Sequence, residues 1–155
     1  MQEIRWENKH FDELTAKDVY AIGHLRQQVF VVEQDCPYLD FDFLDYQCWH
    51  VMAWDEDGDL VAYTRLVPKK GSYDHDIAIG RVVSSHKVRR TGIGRILMEK
   101  SKIYAWEVFG KCNIRISAQD YLLKFYTSLG FVDTGKKYLE DGIPHSEMYL
   151  KVEEN

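Results

Sequence analysis

The apolar residues of this chain follow two periods, one typical of strands and one typical of helices. Residues 48–54 and 60–67 are rich in apolar and β-branched side chains and flank an acidic turn that contains Gly58. This pattern predicts an antiparallel hairpin. Residues 77–84 predict a further strand, and a short one is expected at 4–6.

Helical spacing is found in three other segments. Thr15 predicts a capped helix start, and the apolar positions after it continue to about Glu33. A second helix is predicted over 92–109. Its apolar face comprises Ile93, Ile96, Leu97, Ser101, Tyr104 and Val108. A third helix, over 122–129, ends before Gly130, which suits a C-cap.

The remaining strands are predicted over 113–118, 131–138 and 146–152, with a turn at Asp141-Gly142. Strands and helices in this order predict an α/β protein with a mixed sheet and helices packed on its faces. The chain contains no repeat, low-complexity tract or linker. We therefore expect residues 1–155 to form one domain.

Composition argues against several classes of protein. The formal net charge of −5 gives no general attraction to nucleic acid or to anionic membranes. We find neither an apolar leader nor a run near the ~20 apolar residues of a membrane span, so a cytoplasmic protein is expected. The three cysteines, Cys36, Cys48 and Cys112, form no C-x-x-C pair, as expected of reduced thiols. We expect no metal ion.

The start of the second helix has an unusual charge. Helix N-termini favour acidic side chains, yet four cations are placed here: Lys87, Arg89, Arg90 and Arg95. A bound anion would relieve their repulsion, and Gly92 and Gly94 would let backbone amides approach a diphosphate. Solvated arginines at an ordinary helix start remain the alternative. The spacing matches neither a Walker loop nor a dinucleotide fingerprint.

Two motifs carry a family resemblance. Arg89-Arg90-Thr91-Gly92-Ile93-Gly94 resembles the acetyl-CoA motif Gln/Arg-x-x-Gly-x-Gly/Ala of the GNAT (general-control-related N-acetyltransferase) superfamily. Phe125-Tyr126-Thr127-Ser128-Leu129-Gly130-Phe131 resembles the Phe-Tyr-x-x-x-Gly-Phe ending of the next GNAT helix. Residues 25–34, 36–38 and 141–145 are similar to the ElaA-like branch, so the resemblance covers nearly the whole chain.

The resemblance implies a mostly antiparallel sheet of six to seven strands that splays at the acetyl-CoA site. It also implies which residues bind the cosubstrate. Amides near Val82 and Ser84 would hold the pantetheine arm, and Val83 would point into the core. The diphosphate would lie on Arg89, Arg90, Thr91, Gly92, Ile93, Gly94 and Arg95. Gln119 stands where many relatives have Asn, which puts one pantetheine hydrogen bond in doubt.

The implied activity is transfer of an acetyl group from acetyl-CoA to a primary amine. Tyr126 would protonate the leaving thiolate, although spacing alone favours a packing role for it. Glu33, His50 and His145 are the candidates for a base, and some relatives use none. A non-catalytic CoA sensor and a transferase of longer acyl groups stay open as alternatives.

The acceptor is less well defined. Residues 33–46 interleave carboxylates with aromatic rings, a composition that favours a cationic amine with an apolar stem. A soluble loop with buried aromatics explains it equally well. We expect a small-molecule or peptide amine as partner, no nucleic acid and no membrane, and a homodimer stays open.

Overall fold

The computed structural model describes residues 3–152, so both ends of the predicted domain, 1–2 and 153–155, lie outside the described residues. The strands are β1 (Arg5–His10), β2 (Trp49–Trp54), β3 (Leu60–Val67), β4 (Ile77–Ser84), β5 (Ile114–Gln119), β6 (Val132–Glu140) and β7 (Ile143–Leu150). The α-helices are α1 (Ala16–Arg26), α2 (Ile93–Phe109) and α3 (Leu123–Ser128). A π-helical segment, Gln27–Glu33, continues α1 without a break.

The seven strands form one sheet in the order β1-β2-β3-β4-β5-β7-β6. All neighbouring strands are antiparallel except β4 and β5, which are parallel. The predicted mixed and mostly antiparallel sheet is therefore confirmed.

Helices cover both faces of the sheet. Side chains alternate across a strand, and in β2 this alternation separates two apolar clusters. Val51 and Ala53 belong to the cluster that contains Leu97 of α2. Met52 and Trp54 belong to the cluster formed with α1. The central strands β2 and β3 are consequently buried on both sides, with α1 on one face of the sheet and α2 and α3 on the other.

The inner face of α2 follows the predicted stripe only in part, since Tyr104 and Val108 are half-buried and Met98 and Ala105 were not predicted. Its buried residues are Ile93, Leu97, Met98, Ser101 and Ala105. Ile96, which we expected on this face, is 48% exposed. Ser101 lets the helix approach β3, where its Oγ lies 2.7 Å from Oγ1 of Thr64. Each hydroxyl thus satisfies the other inside the core.

Two strands differ from their predicted bounds by three or more residues at one end. β1 is longer than residues 4–6 because it pairs along the whole of β2. β7 begins at Ile143 because Asp141 and Gly142, with φ of +50° and +79°, form a two-residue hairpin turn after β6. In the part of the chain that the structure describes, no helix is long and apolar enough to cross a membrane. The three cysteines are free thiols.

Candidate active site

The strands β4 and β5 separate soon after they begin. Their ladder consists of two pairs, Ile77↔Ile114 and Ala78↔Arg115. Beyond these pairs the sheet opens into a cleft of about 1410 Å³, walled by Val82 and Ser84 of β4 and by Gln119 of β5. This is the predicted splay. Backbone groups at such a gap lack a sheet partner and need another one.

A β-bulge in the middle of β4 changes the orientation of the residues that form this wall of the cleft. The register against β3 shifts between Tyr63 and Arg65, so that Arg81 and Val82 both stand opposite Thr64. Arg81 has a φ of +51°, which residues other than glycine rarely adopt. Neither Arg81 nor Val82 is paired in register with β3 or β5, and both line the cleft.

The loop before α2 presents a row of unpaired amides. Arg90 and Gly92 have φ of +64° and +84°, and this left-handed turn leads the chain into the helix. Among residues 3–152, the backbone amides of residues 89–95 have no hydrogen-bond acceptor; Ile96 is the first with one, the carbonyl of Gly92. These amides carry the partial positive charge of a helix N-terminus, so the turn fits an anion.

The four cations near this turn have different partners. Lys87 does not take part in an anion site, because its Nζ lies 2.6 Å from Asp55 and 2.9 Å from Asp59. Arg95 donates to Oγ of Ser128 at 2.7 Å. Arg90 is exposed. The charge that the sequence placed at the helix start is thus partly neutralised within the protein.

The carboxylates around Lys87 are also the ones that resemble a metal site. Asp55, Asp57 and Asp59 place oxygens within 4.8 Å of one another. The Lys87 ammonium lies among them and donates to all three. We therefore assign this acidic turn to an ion-pair cluster that anchors the loop after β4.

Arg89 is held by an acid from the other side of the cleft. Both of its Nη atoms donate to the carboxylate of Glu33, one of them to Oε2 at 2.7 Å. This hydrogen-bonded pair holds the pKa of Glu33 below its usual range. The next residue, Gln34, exchanges 3.4 Å amide contacts with Gln119 of β5. Consecutive residues at the end of the π-helical segment thus bridge both walls of the cleft, and we call Glu33 and Gln34 the strap.

Tyr126 lies on the opposite side of the cleft from the strap. It is 4% exposed, packs against Phe125 and Phe131, and still lines the cleft. Burial raises the pKa of its hydroxyl, so the phenol stays protonated at neutral pH. Within residues 3–152 this hydroxyl makes no hydrogen bond to a side chain.

Six charged side chains form a closed ring beside the bulge. In order around it they are Arg26, Asp40, Arg81, Asp42, Arg65 and Asp45, and we call them the charge ring. Each carboxylate contacts two arginines at N–O distances between 2.7 and 3.4 Å. The arginines come from α1, β3 and β4 and the aspartates from one loop, so the ring fixes that loop against the sheet.

The charge ring keeps its members ionised. Burial of Asp42 opposes ionisation, but hydrogen bonds and charge from Arg65 lower its pKa to about 2. The Arg26 side chain is fully buried, and its guanidinium is satisfied by Asp40 and Asp45. Three positive and three negative charges cancel, so the ring adds no net charge to the cleft.

Comparison with known proteins decides the family. The sequence model of the acetyltransferase (GNAT) domain family matches residues 30–152 of this chain. This chain belongs to the GNAT family. The GNAT fold binds an acyl-CoA cosubstrate, and acyl transfer is the activity of this class.

Relatives in this family match over nearly their full length. ElaA of Escherichia coli is 37% identical over 96% of this chain and 97% of its own, and a UPF0039 protein of Schizosaccharomyces pombe is 39% identical over 98% and 100%. The crystal structure of an acyl-CoA N-acyltransferase from Pseudomonas aeruginosa is 42% identical, covers 96% of this chain and 99% of its own, and superposes with a TM-score of 0.88. Resemblance to the ElaA-like branch of GNAT proteins is thus confirmed.

Most residues predicted for the GNAT site lie around one cleft. Its lining includes Val82, Val83, Ser84, Arg89, Gly94, Gln119 and Tyr126. Val83 is also 4% exposed and packs in the α1-side core. Arg90, Thr91 and Gly92 form the turn that enters α2, Ile93 is buried beneath it, and Arg95 lies one turn further.

His50 does not reach the cleft. It is 1% exposed, with Nδ1 2.6 Å from the Tyr63 hydroxyl and Nε2 3.0 Å from the Asp45 carbonyl. Burial lowers its pKa to about 4. His50 is absent from the lining of the cleft, because it lies on β2, which β3 separates from the gap between β4 and β5. The periodicity of the strand could not indicate this distance from the site. We withdraw it as a candidate base.

The charge ring changes the interpretation of the acidic loop. Asp40, Asp42 and Asp45 are neutralised by arginines, and Glu33 by Arg89. Four of the five carboxylates in residues 33–46 are thus neutralised, which leaves little preference for a cationic acceptor. The ring itself was missed, and the signal that could have indicated it was three arginines at strand and helix positions that ordinarily bury apolar side chains.

Proposed function

We propose that this protein is an acetyl-CoA-dependent N-acetyltransferase that acts on a primary amine, and that the chain forms a single catalytic domain. The observation that carries the proposal is the pairing of two features at one cleft. A row of unpaired amides begins α2, and two parallel strands part beside it. A diphosphate fits the first feature and an extended amide-containing arm fits the second.

The coenzyme diphosphate would bind the amides of residues 92–95 with help from Arg90 and Arg95. The amides of Val82 and Ser84 would bond the pantetheine carbonyls. At the bulge, the freed amides would stabilise the negative oxygen that forms when an amine attacks the thioester carbon. Acetyl-CoA supplies the activated acetyl group, and the amine displaces the coenzyme thiolate.

Tyr126 would supply the proton for that thiolate. An acid must be protonated before it acts, and burial keeps the phenol neutral. A thiol of pKa about 8.5 is a stronger acid than the phenol, so the transfer is uphill and needs the hydroxyl close to the sulfur. A hydroxyl that bonds no described side chain is free to take this place.

The amine proton would pass to His145. Of the three candidate bases, His50 lies away from the cleft and Glu33 is held by Arg89. His145 lines the cleft, and its Nδ1 lies 2.7 Å from the carbonyl of Ile143, which leaves Nε2 to accept a proton. Glu140, 3.3 Å from Nε2, would stabilise the resulting imidazolium.

Thiol release from acetyl-CoA in the presence of a panel of primary amines tests the proposal. Tyr126→Phe should lower kcat by about 100-fold or more and leave acetyl-CoA affinity nearly unchanged. Tyr104→Phe, on α2 outside the cleft, is the matched control and should behave as wild type. Near-normal turnover in Tyr126→Phe would remove Tyr126 from the mechanism.

A non-catalytic CoA sensor is the alternative from another class. The two are separated by the same assay combined with calorimetry. Tight CoA binding without amine-dependent thiol release over the whole panel would favour the sensor.

A further inference from the structure

We propose that Arg81 is a positioning residue, held by the charge ring, whose tethered side chain keeps the β4 bulge in the form that activates the thioester. The proposal rests on the proposed function, because it assigns the bulge amides a role in acetyl transfer. It concerns how this chain maintains a backbone shape that its sequence does not favour.

The bulge residue is an unusual choice for its conformation. Left-handed backbone favours glycine, and among other residues asparagine and aspartate. Arg81 adopts a φ of +51° although Gly80 precedes it in the chain. A residue that the local backbone disfavours persists where its surroundings determine it, and here those surroundings are contacts of the side chain.

Those contacts hold the guanidinium at several points. Arg81 Nε lies 2.8 Å from Oδ1 of Asp40, and Nη2 donates to the carbonyl of Asp40 at 3.0 Å. Nη2 also lies 3.4 Å from Asp42. Both aspartates are in turn held by the buried Arg26 and Arg65. These contacts fix the position of the guanidinium, and the main chain of residue 81 adopts the conformation that this position requires.

The alternative state of the strand is a regular ladder. Without the bulge, β4 would continue its register with β3, and one residue of slip moves each following side chain to the other face. The Val82 amide would then pair within the sheet and no longer face the cleft. The rate of acetyl transfer would fall. The amides at the start of α2 would keep their place, because Lys87 anchors the loop after β4 to Asp55 and Asp59.

Loss of the tether should affect kcat more than the affinity for CoA. Arg81→Met keeps the length of the side chain and removes the tether. We expect kcat to fall by at least tenfold and the CoA dissociation constant to rise by less than tenfold, because Val82 supplies only one of several amides proposed to bind the coenzyme. Arg81→Lys retains the positive charge without the planar guanidinium, so its kcat should lie between those of wild type and Arg81→Met.

The matched control is Arg115→Met. Arg115 is an arginine of similar exposure on the neighbouring strand, paired with Asp76 and Glu147 outside the charge ring. The Arg115→Met substitution should leave kcat unchanged. A kcat for Arg81→Met within twofold of wild type, with an unchanged melting temperature, would overturn the proposal.

A structural measurement keeps the test independent of turnover. A crystal structure of Arg81→Met should show residue 81 with negative φ and β4 in regular register with β3. If the bulge persists unchanged, the tether is not what maintains it, and the inference fails even if kcat of the variant has fallen. If wild type shows no turnover with any amine, the proposed function fails instead, and the crystal structure still decides the role of the tether.

Discussion

The contact between Glu33 and Arg89 allows one substitution to separate three roles for the same acid. Arg89 belongs to the motif expected to bind the coenzyme diphosphate, yet both of its Nη atoms already donate to Glu33. The carboxylate and a diphosphate would compete for one guanidinium. Glu33→Gln removes the competing charge while keeping the shape of the side chain, so we expect coenzyme A to bind more tightly.

The magnitude follows from the geometry of the pair. A phosphate oxygen on the far edge of the guanidinium would lie about 5 Å from the Glu33 carboxylate, and two unit charges at that distance repel by about 1–3 kcal/mol for a dielectric constant of about 20–80. With about tenfold per 1.4 kcal/mol, the gain in affinity should be about 5- to 100-fold. Since Glu33 and Arg89 side chains are 31% and 34% exposed, added salt should reduce the gain.

Calorimetry with coenzyme A at low and high salt measures this effect. Asp35→Asn is the matched control, because it removes the same charge two positions further along the chain. The φ of +49° at Asp35 suits asparagine, and Asp35 has no ion-pair partner among residues 3–152. It should change affinity much less. Weaker binding in Glu33→Gln would refute the competition and show that Glu33 orients Arg89. Unchanged binding with a large loss of kcat would return Glu33 to the role of base.

Two further predictions concern the turn into α2 and the buried histidine. Gly92→Ala should weaken coenzyme A binding, because a Cβ in left-handed backbone costs about 1–2 kcal/mol at a turn with no neighbour within 4 Å. Gly135→Ala, strained in the same way on β6, should lower the melting temperature without affecting affinity; equal affinities in the two variants would contradict the anion site. His50, whose pKa falls from 6.5 to about 4 on folding because it is buried, makes the protein less stable at acid than at neutral pH by about 3 kcal/mol. That contribution is complete above pH 6.5 and is lost as pH falls toward 4. The free energy of unfolding, measured by denaturant titration across this window, should therefore depend less steeply on pH in His50→Gln. An unchanged dependence would assign the loss of stability to other groups.

The sequence predicted those parts of the site that depend on neighbours in the chain. The turn at Gly92, the helix that follows it and the placement of Tyr126 after the next strand all arise from short motifs. The hairpin around Gly58 and the order of strands and helices along the chain follow from local periodicity. These features need only a few consecutive residues to be recognised.

The features that were missed depend on distant residues. The charge ring joins Arg26 to Asp45 and Arg81 to Asp40, pairs separated by 19 and 41 positions, and nothing in the loop indicates which arginine each carboxylate meets. The π-helical ending of α1 has no local signal in its sequence. It becomes meaningful only when Glu33 and Gln34 are seen to bridge the cleft.

The short ladder between β4 and β5 divides the sheet into two half-sheets, joined by two residue pairs at one end and by the strap at the other. A coenzyme lying between them would take the position of an additional strand and complete the hydrogen bonding of both edges. Its binding free energy would then add to the cohesion of the whole fold. Hydrogen exchange should be fastest along the two facing edges in the free protein and should slow there, on both half-sheets at once, when the coenzyme enters.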